Sequence, residues 1–424
     1  MLYDTIIVGA GISGLAAAKQ LHKQGKNILV LEARDRVGGR TDTHQEFGFP
    51  VDLGASWAHD LSRNVLAQQS DCQLELLPYS HFLSHPQDHV IVDAESAPLN
   101  HDNSKKIDAW LARFFEDLIQ QPYSTNVDEY FDDFENPDFT AAELSILKPW
   151  LKELLACWSG ADFTKTGVGA WQQYLDETEN SYVLNGYDTV INMLAKDLTI
   201  TLNSRVEHID YEKENITIHC DKKQYQAKTV VVTLPLGILK TGQCHFTPPL
   251  PEAKQQVINN MGYGLLEKTV LQFPHCFWDK EALSIHRFPT DDSDILVYVN
   301  YQAIMGEPML MAMYGGETAK AFNAMSEQEK QAQLLNPLRK LYGDEFIAPD
   351  NIYSTHWQSD PYSQGAYSYL STGQSADAHD TLAAPIDNRL FFAGEATHNI
   401  HCATVHGAYE SGIFAADAIL KEST

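Results

Sequence analysis

Near the start of the chain, Gly9-Ala10-Gly11-Ile12-Ser13-Gly14 spells G-x-G-x-x-G, and Glu32 closes the next apolar run. Residues of these types at this spacing can hold a dinucleotide. The first glycine permits a tight turn, the second lets a pyrophosphate approach the backbone, and the third lets helix and strand pack closely, with the phosphates on the helix N-terminus. A carboxylate at Glu32 can accept hydrogen bonds from an adenosine ribose. The fingerprint alone leaves NAD and FAD open. The stretch EARDRVGGR decides between them, because Arg34, Arg36 and Arg40 around Gly38-Gly39 bring fixed positive charge and close backbone approach to a second part of a diphosphate. A long, extended cofactor of the FAD type fits that better than a nicotinamide dinucleotide.

Positioning these groups takes a βαβ unit. Tyr3 to Val8 is a β-branched run. Leu15, Ala18 and Leu21 recur at helical spacing before Gly25, and Asn27 to Leu31 is a second apolar run. The middle of the chain, from Leu99 to Leu175, reads as helical and acidic, with Trp110, Leu111, Phe114, Phe115 and Leu118 as a stripe. The charge run Asp128 to Asp138 reads as a solvated face or loop. Strand patterns follow at Ile218 to Pro235, Leu265 to Phe273 and Ile295 to Asn300, and Arg389 to Glu395 reads as a buried strand leading to a helix over about Thr404 to Leu420. Periodicity alone makes Lys268 an exposed strand lysine. The expected fold is α/β (α+β overall), with a doubly wound dinucleotide domain and a second, mixed domain interleaved with it.

With 424 residues, 44% of them hydrophobic and 10% aromatic, the chain can bury a large core and should form two or three domains. Lys plus Arg is 30 against 57 for Asp plus Glu, a net charge of −27. That field repels nucleic acid and anionic membranes and favours small cationic partners. The six cysteines show no CxxC or Cys/His ligand spacing, so no metal site and a reduced compartment are expected. MLYDTIIVGAG carries no basic n-region, and no apolar run approaches the ~18 residues of a spanning helix. A cytoplasmic protein without membrane attachment is expected.

Seven blocks carry a resemblance: GAGISGL, EARDRVGGR, DLGASW (Asp52 to Trp57), VVVTLPLGILK (Val230 to Lys240), LLEKTVLQFPHCFW (Leu265 to Trp278), HWQSDPYSQGAYSYL (His356 to Leu370) and FFAGEATHNIHCATVHGAYESG (Phe391 to Gly412). Together, in family order across essentially the whole chain, they resemble the flavin-containing amine oxidases, the family of monoamine oxidases, polyamine oxidases and lysine-specific histone demethylases. The resemblance implies an FAD domain over 1–75, 203–245 and 385–424, and a substrate domain over 76–202 and 246–384. It implies that Glu32, with Ala33 beside it, binds ribose and that Arg34 and Arg40 reach the phosphate region. Gly54, Ala55, Ser56 and Trp57 would pass the flavin ring, and Val206 would give a backbone contact to adenine. Gly394 and Glu395 would lie near the ribityl-pyrophosphate, and the backbone of Thr404 and Val405 would face the flavin pyrimidine at a helix N-terminus.

By the same resemblance Lys268 holds a water against the flavin, Trp357 and Tyr367 line the substrate channel, and His59 stands at that channel. Ala366 replaces the cysteine that tethers flavin in monoamine oxidases, so FAD would be non-covalent. Thr404 replaces the second tyrosine of their aromatic pair. Both departures resemble the polyamine oxidase and demethylase branch, and nothing resembles the demethylases' nucleosome-gripping insert. The implied activity is oxidation of spermine, spermidine or an acetylated relative, with O2 reduced to hydrogen peroxide. The alternatives are an L-amino-acid or monoamine oxidase of the same fold, a desaturase, and a non-catalytic flavin-binding protein.

Overall fold

The β-branched run at the N-terminus forms the strand Leu2–Val8, central in an eight-stranded mixed sheet. Its neighbours are Ile28–Leu31 on one side and Lys223–Val232 on the other, both parallel to it; Ile200–Thr201 and Leu390–Phe392 extend the parallel part. Antiparallel strands Val206–Asp210 and Ile216–Cys220 continue the sheet to His245–Thr247. Register puts Phe391, Val231, Ile7 and Val30 in one row across the parallel strands. That row packs under the first helix, Ile12–Lys23, and the last helix, Val405–Glu422, in a continuous buried cluster. The computed structural model describes residues 1–79, 89–92, 101–174, 179–221, 223–287, 295 and 297–422. The ends of the expected helical stretch, Leu99 and Leu175, lie outside them.

The chain forms two compact units. Unit one comprises 1–78, 176–263 and 360–424, and unit two comprises 79–175 and 264–359. The division expected at 202/203 falls inside unit one, because Ile200–Thr201 pairs with the second strand and the helix Asp188–Ala195 packs in the same core cluster. The division expected at 384/385 also falls inside unit one, where Ser368 is bonded to Glu395.

Unit two holds a six-stranded sheet in the order Asn351–Ser354, Leu266–Gln272, Met309–Gly315, Val297–Asn300, Ser284–Arg287, His89–Val92. All pairs are antiparallel except the last. Because side chains alternate faces, Leu271, Leu310, Ala312, Tyr298 and Ile285 share one face. That face packs on helices Gly316–Ala324 and Glu327–Tyr342 through Phe322, Leu334 and Leu338. The acidic run departs from the sequence reading. Val127–Asp133 is a helix whose Phe131 is buried and stacks on Trp110, since one aromatic in an acidic segment suffices to anchor it; Asp128 and Asp132 face outward onto Lys152. No helix among the described residues is long and apolar enough to cross a membrane.

Candidate active site

In unit one, the glycine turn is fixed by close approaches. Gly9 has φ +107°, and a Cβ on Gly14 would stand 2.1 Å from the Gly9 carbonyl oxygen, so helix and strand meet only because position 14 has no side chain. Gly11 bridges to Gly38 in parallel fashion, which brings the second glycine pair onto the first. Glu32 is buried; its Oε2 accepts from the Ala10 N–H at 2.7 Å and its Oε1 from the Arg34 N–H at 2.8 Å. Ala33 follows it, half-buried. The Ser204 N–H donates to the Glu32 carbonyl and the Asn203 N–H to that of Arg34, so the segment leading to the buried Val206 runs beside the acidic residue.

The arginines divide. The Arg34 guanidinium grips Asp360 bidentately at 2.7 and 2.6 Å and lies over the Tyr362 ring. Burial raises the Asp360 pKa, but the Arg34 hydrogen bond and charge outweigh it and hold the carboxyl below its usual range. Arg40 donates through Nη1 to Glu395 Oε1 at 2.7 Å and to the Ala366 carbonyl at 2.8 Å. Glu395 Oε2 in turn accepts from the Ser368 hydroxyl at 2.6 Å, the Ser368 N–H and the Ala403 N–H. Tyr367, half-buried, is thereby held from both sides, at Ala366 and at Ser368. Glu395 thus acts here as a knot among three segments, and neither Asp360 nor Ser368 was visible as a partner in the sequence.

The strand-like segment after Asp52 lies against Arg40. A Cβ on Gly54 would stand 2.0 Å from the Arg40 carbonyl oxygen, the Ala55 N–H donates to that oxygen, and the Ser56 hydroxyl donates to the Asp52 carbonyl. Trp57 accepts from the Tyr187 hydroxyl at its carbonyl, and the His59 Nδ1 donates to Asn180 Oδ1 at 3.0 Å. Thr404 opens the last helix: its Oγ1 accepts from the Gly407 N–H and donates to the His401 carbonyl, just ahead of Val405. A Cβ on Gly412 would stand 2.1 Å from the Ser13 carbonyl oxygen, which is how the last helix reaches the first.

Unit two carries Lys268 and Trp357. Lys268 is only 2% exposed, against the expectation from periodicity, because its strand is interior to the six-stranded sheet. Its N–H donates to Thr355 Oγ1 and its carbonyl accepts from the Thr355 N–H, both at 2.9 Å. The neighbouring Glu267, fully buried, accepts from the Thr355 hydroxyl at 2.5 Å, from the Trp357 and Gln358 N–H groups at 3.0 Å, and from Asn323. One carboxylate thus fixes both the strand of Lys268 and the loop of Trp357. Sequence reading missed Glu267 and Thr355; the adjacency of Glu267 to Lys268 was the one signal available. Burial pushes Cys157 up to about 12, the Lys268 charge pulling the other way, so that thiol is inert near neutral pH.

The family described as flavin containing amine oxidoreductase matches residues 12–420 of the chain. The chain belongs to that family. FAD is the cofactor of these amine oxidoreductases, and unit one fits it. The first helix begins without a side-chain cap, the buried Ser13 hydroxyl at its first turn has no partner among the described residues, and a Cβ on Gly394 would meet nothing within 4 Å. This amine oxidoreductase is 33% identical over 99% of its length to polyamine oxidase 4 of Oryza sativa subsp. japonica, covering 88% of it. It is 32% identical over 98% of its length to polyamine oxidase 2 of Arabidopsis thaliana, covering 87%. It is also 31% identical to lysine-specific histone demethylase 1 homolog 1 of Arabidopsis thaliana over 99% of its length, and spans about half of that longer protein (52%). In fold it is similar to cyclohexylamine oxidase from Brevibacterium oxydans (TM-score 0.81, 22% identity, 100% of each chain) and to a double mutant of putrescine oxidase (TM-score 0.79, 20% identity, 99% of each).

Proposed function

We propose that this amine oxidoreductase is a polyamine oxidase, binding FAD non-covalently and oxidising a carbon–nitrogen bond of spermine, spermidine or an acetylated relative with O2, which leaves as hydrogen peroxide. Bound FAD would supply the two-electron acceptor for the carbon beside the amine nitrogen, with O2 as the final oxidant. The imine left on the substrate is hydrolysed to an aldehyde and a shorter amine.

The observation that carries this reading is the buried Lys268, bracketed by Thr355 on an interior strand whose other face is hydrophobic core. A buried lysine whose backbone is pinned at Thr355 can bring its amine to hold a water and move a proton. Trp357 in unit two, held at its N–H by Glu267, and Tyr367 in unit one, held between Ala366 and Ser368 by Arg40 and Glu395, each offer an aromatic face of the kind that attracts a cationic amine. His59, oriented by Asn180, accepts or donates at the channel. The N-terminus of the last helix, with the backbone of Thr404 and Val405, stabilises negative charge. Ala366 offers no sulfur for a covalent tether, which supports dissociable FAD. The polyamine relatives at 32 to 33% identity over nearly the whole chain support the substrate class.

The amine must be neutral at the reacting nitrogen, so rate should rise with pH as substrate deprotonates. The test is anaerobic mixing of the yellow holoenzyme with polyamines, N-acetylpolyamines, monoamines and amino acids. Bleaching of the flavin by polyamines or their acetyl derivatives alone is expected. Bleaching by amino acids alone favours the rival oxidase, and no bleaching by any amine favours a desaturase or a binding protein.

A further inference from the structure

The Lys268 face of the unit-two sheet holds a second polar feature. Register places Lys268, Met313, Val297 and His286 in one row across four strands, and Val270, Met311, Val299, Ser284 and His89 in the next. His89 Nδ1 lies 2.6 Å from Ser284 Oγ, and Ser284 Oγ lies 2.6 Å from His286 Nε2, with all three side chains buried. Three interstrand steps of ~4.8 Å put the His286 backbone about 14 Å from that of Lys268. The two strands between contribute methionine (Met311, Met313) and valine (Val297, Val299) to this face. One face therefore carries, in order, a basic residue, a buried apolar stretch and a hydrogen-bonding trio, and the opposite face packs on the helices.

We propose that His89, Ser284 and His286 form the subsite for the far end of the substrate and select an uncharged amide there over a terminal ammonium. This rests on the amine oxidase reading above. The order of polarity along the face matches an amine whose reacting nitrogen is separated by methylenes from a polar end. Imidazole and hydroxyl groups both donate and accept, as the N–H and C=O of an amide require. Among the described residues, the strands present no Asp or Glu on this face, since Glu267 points to the other one.

The test uses the holoenzyme and pairs of polyamines with and without a terminal N-acetyl group, together with a short amine that keeps the reacting end only. The wild type should show higher kcat/KM for the acetylated member of each pair. Ser284→Ala, and independently His89→Gln, should lower the ratio of kcat/KM between the acetylated long substrate and the short amine about tenfold, mostly through KM. An unchanged ratio in variants that retain FAD overturns the subsite. Should the variants fail to fold, the wild-type preference decides alone, and a preference for the free ammonium end overturns it. If no amine bleaches the wild-type flavin, the oxidase reading itself has failed, which is a different result from an active enzyme with an unmoved ratio.

Discussion

The glycine cradle of unit one and the Lys268 sheet of unit two solve the same problem, fixing groups for chemistry, by opposite means. In the cradle, backbone meets backbone: Gly14 on Gly9, Gly54 on Arg40, Gly412 on Ser13, each approach near 2 Å to a carbonyl oxygen for any added Cβ. In the sheet, side chains are held by a buried carboxylate and by register, with Glu267 gathering Thr355, Trp357, Gln358 and Asn323. The cradle tolerates no added atom, whereas the sheet tolerates none removed. The cradle is thus set by absent side chains and the sheet by present ones.

The largest effect should come from filling the cradle. Gly14→Ala forces the first helix off its strand at a cost of about 3 kcal/mol, and the purified protein should lack flavin absorbance. Lys268→Met should do the reverse, keeping FAD while slowing turnover about 10²-fold; stopped-flow traces equal to wild type would remove Lys268 from the chemistry. Glu267→Gln weakens a charge-assisted acceptor of four donors by about 2 kcal/mol. It should lower kcat/KM about tenfold with FAD still bound, and a loss of stability without a kinetic change would make Glu267 purely structural.

The smallest contrast is in acid. His406 in unit one is buried among His401, His59 and His398, and burial first, then those neighbours, pushes its pKa down to about 3. The unfolded chain takes up that proton near pH 6.5 and the folded one does not, so stability contributed by neutral His406 is lost as pH falls from 6.5 toward 3. His379 and His401 are lowered in the same direction. His406→Asn should flatten the dependence of Tm on pH across that window, and an unchanged slope would assign the acid sensitivity elsewhere.

Legibility in the sequence followed the same divide. The βαβ unit, the glycine turn and Glu32 could be read directly because their partners lie within about thirty residues and depend on backbone geometry that glycine spacing encodes. The pairing of Arg34 with Asp360 could not, because the string EARDRVGGR says nothing of a carboxylate 326 positions away. The burial of Lys268 needed the sheet order, which sequence periodicity does not contain, and the family resemblance alone marked it. His89 meets Ser284 across 195 positions, and the His89–Ser284–His286 trio exists only through strand pairing. Phe131 was hidden by the acids around it.

Unit one is expected to govern cofactor retention, and the Lys268 sheet to govern rate. The most direct test measures, in the same preparations of wild type, Gly14→Ala and Lys268→Met, the molar ratio of FAD to protein and the anaerobic and aerobic single-turnover rates per bound flavin. Gly14→Ala should give a low ratio, and Lys268→Met a full ratio with a rate at least tenfold reduced. A Lys268→Met protein that loses FAD in step with its rate, or that keeps both, would contradict this division.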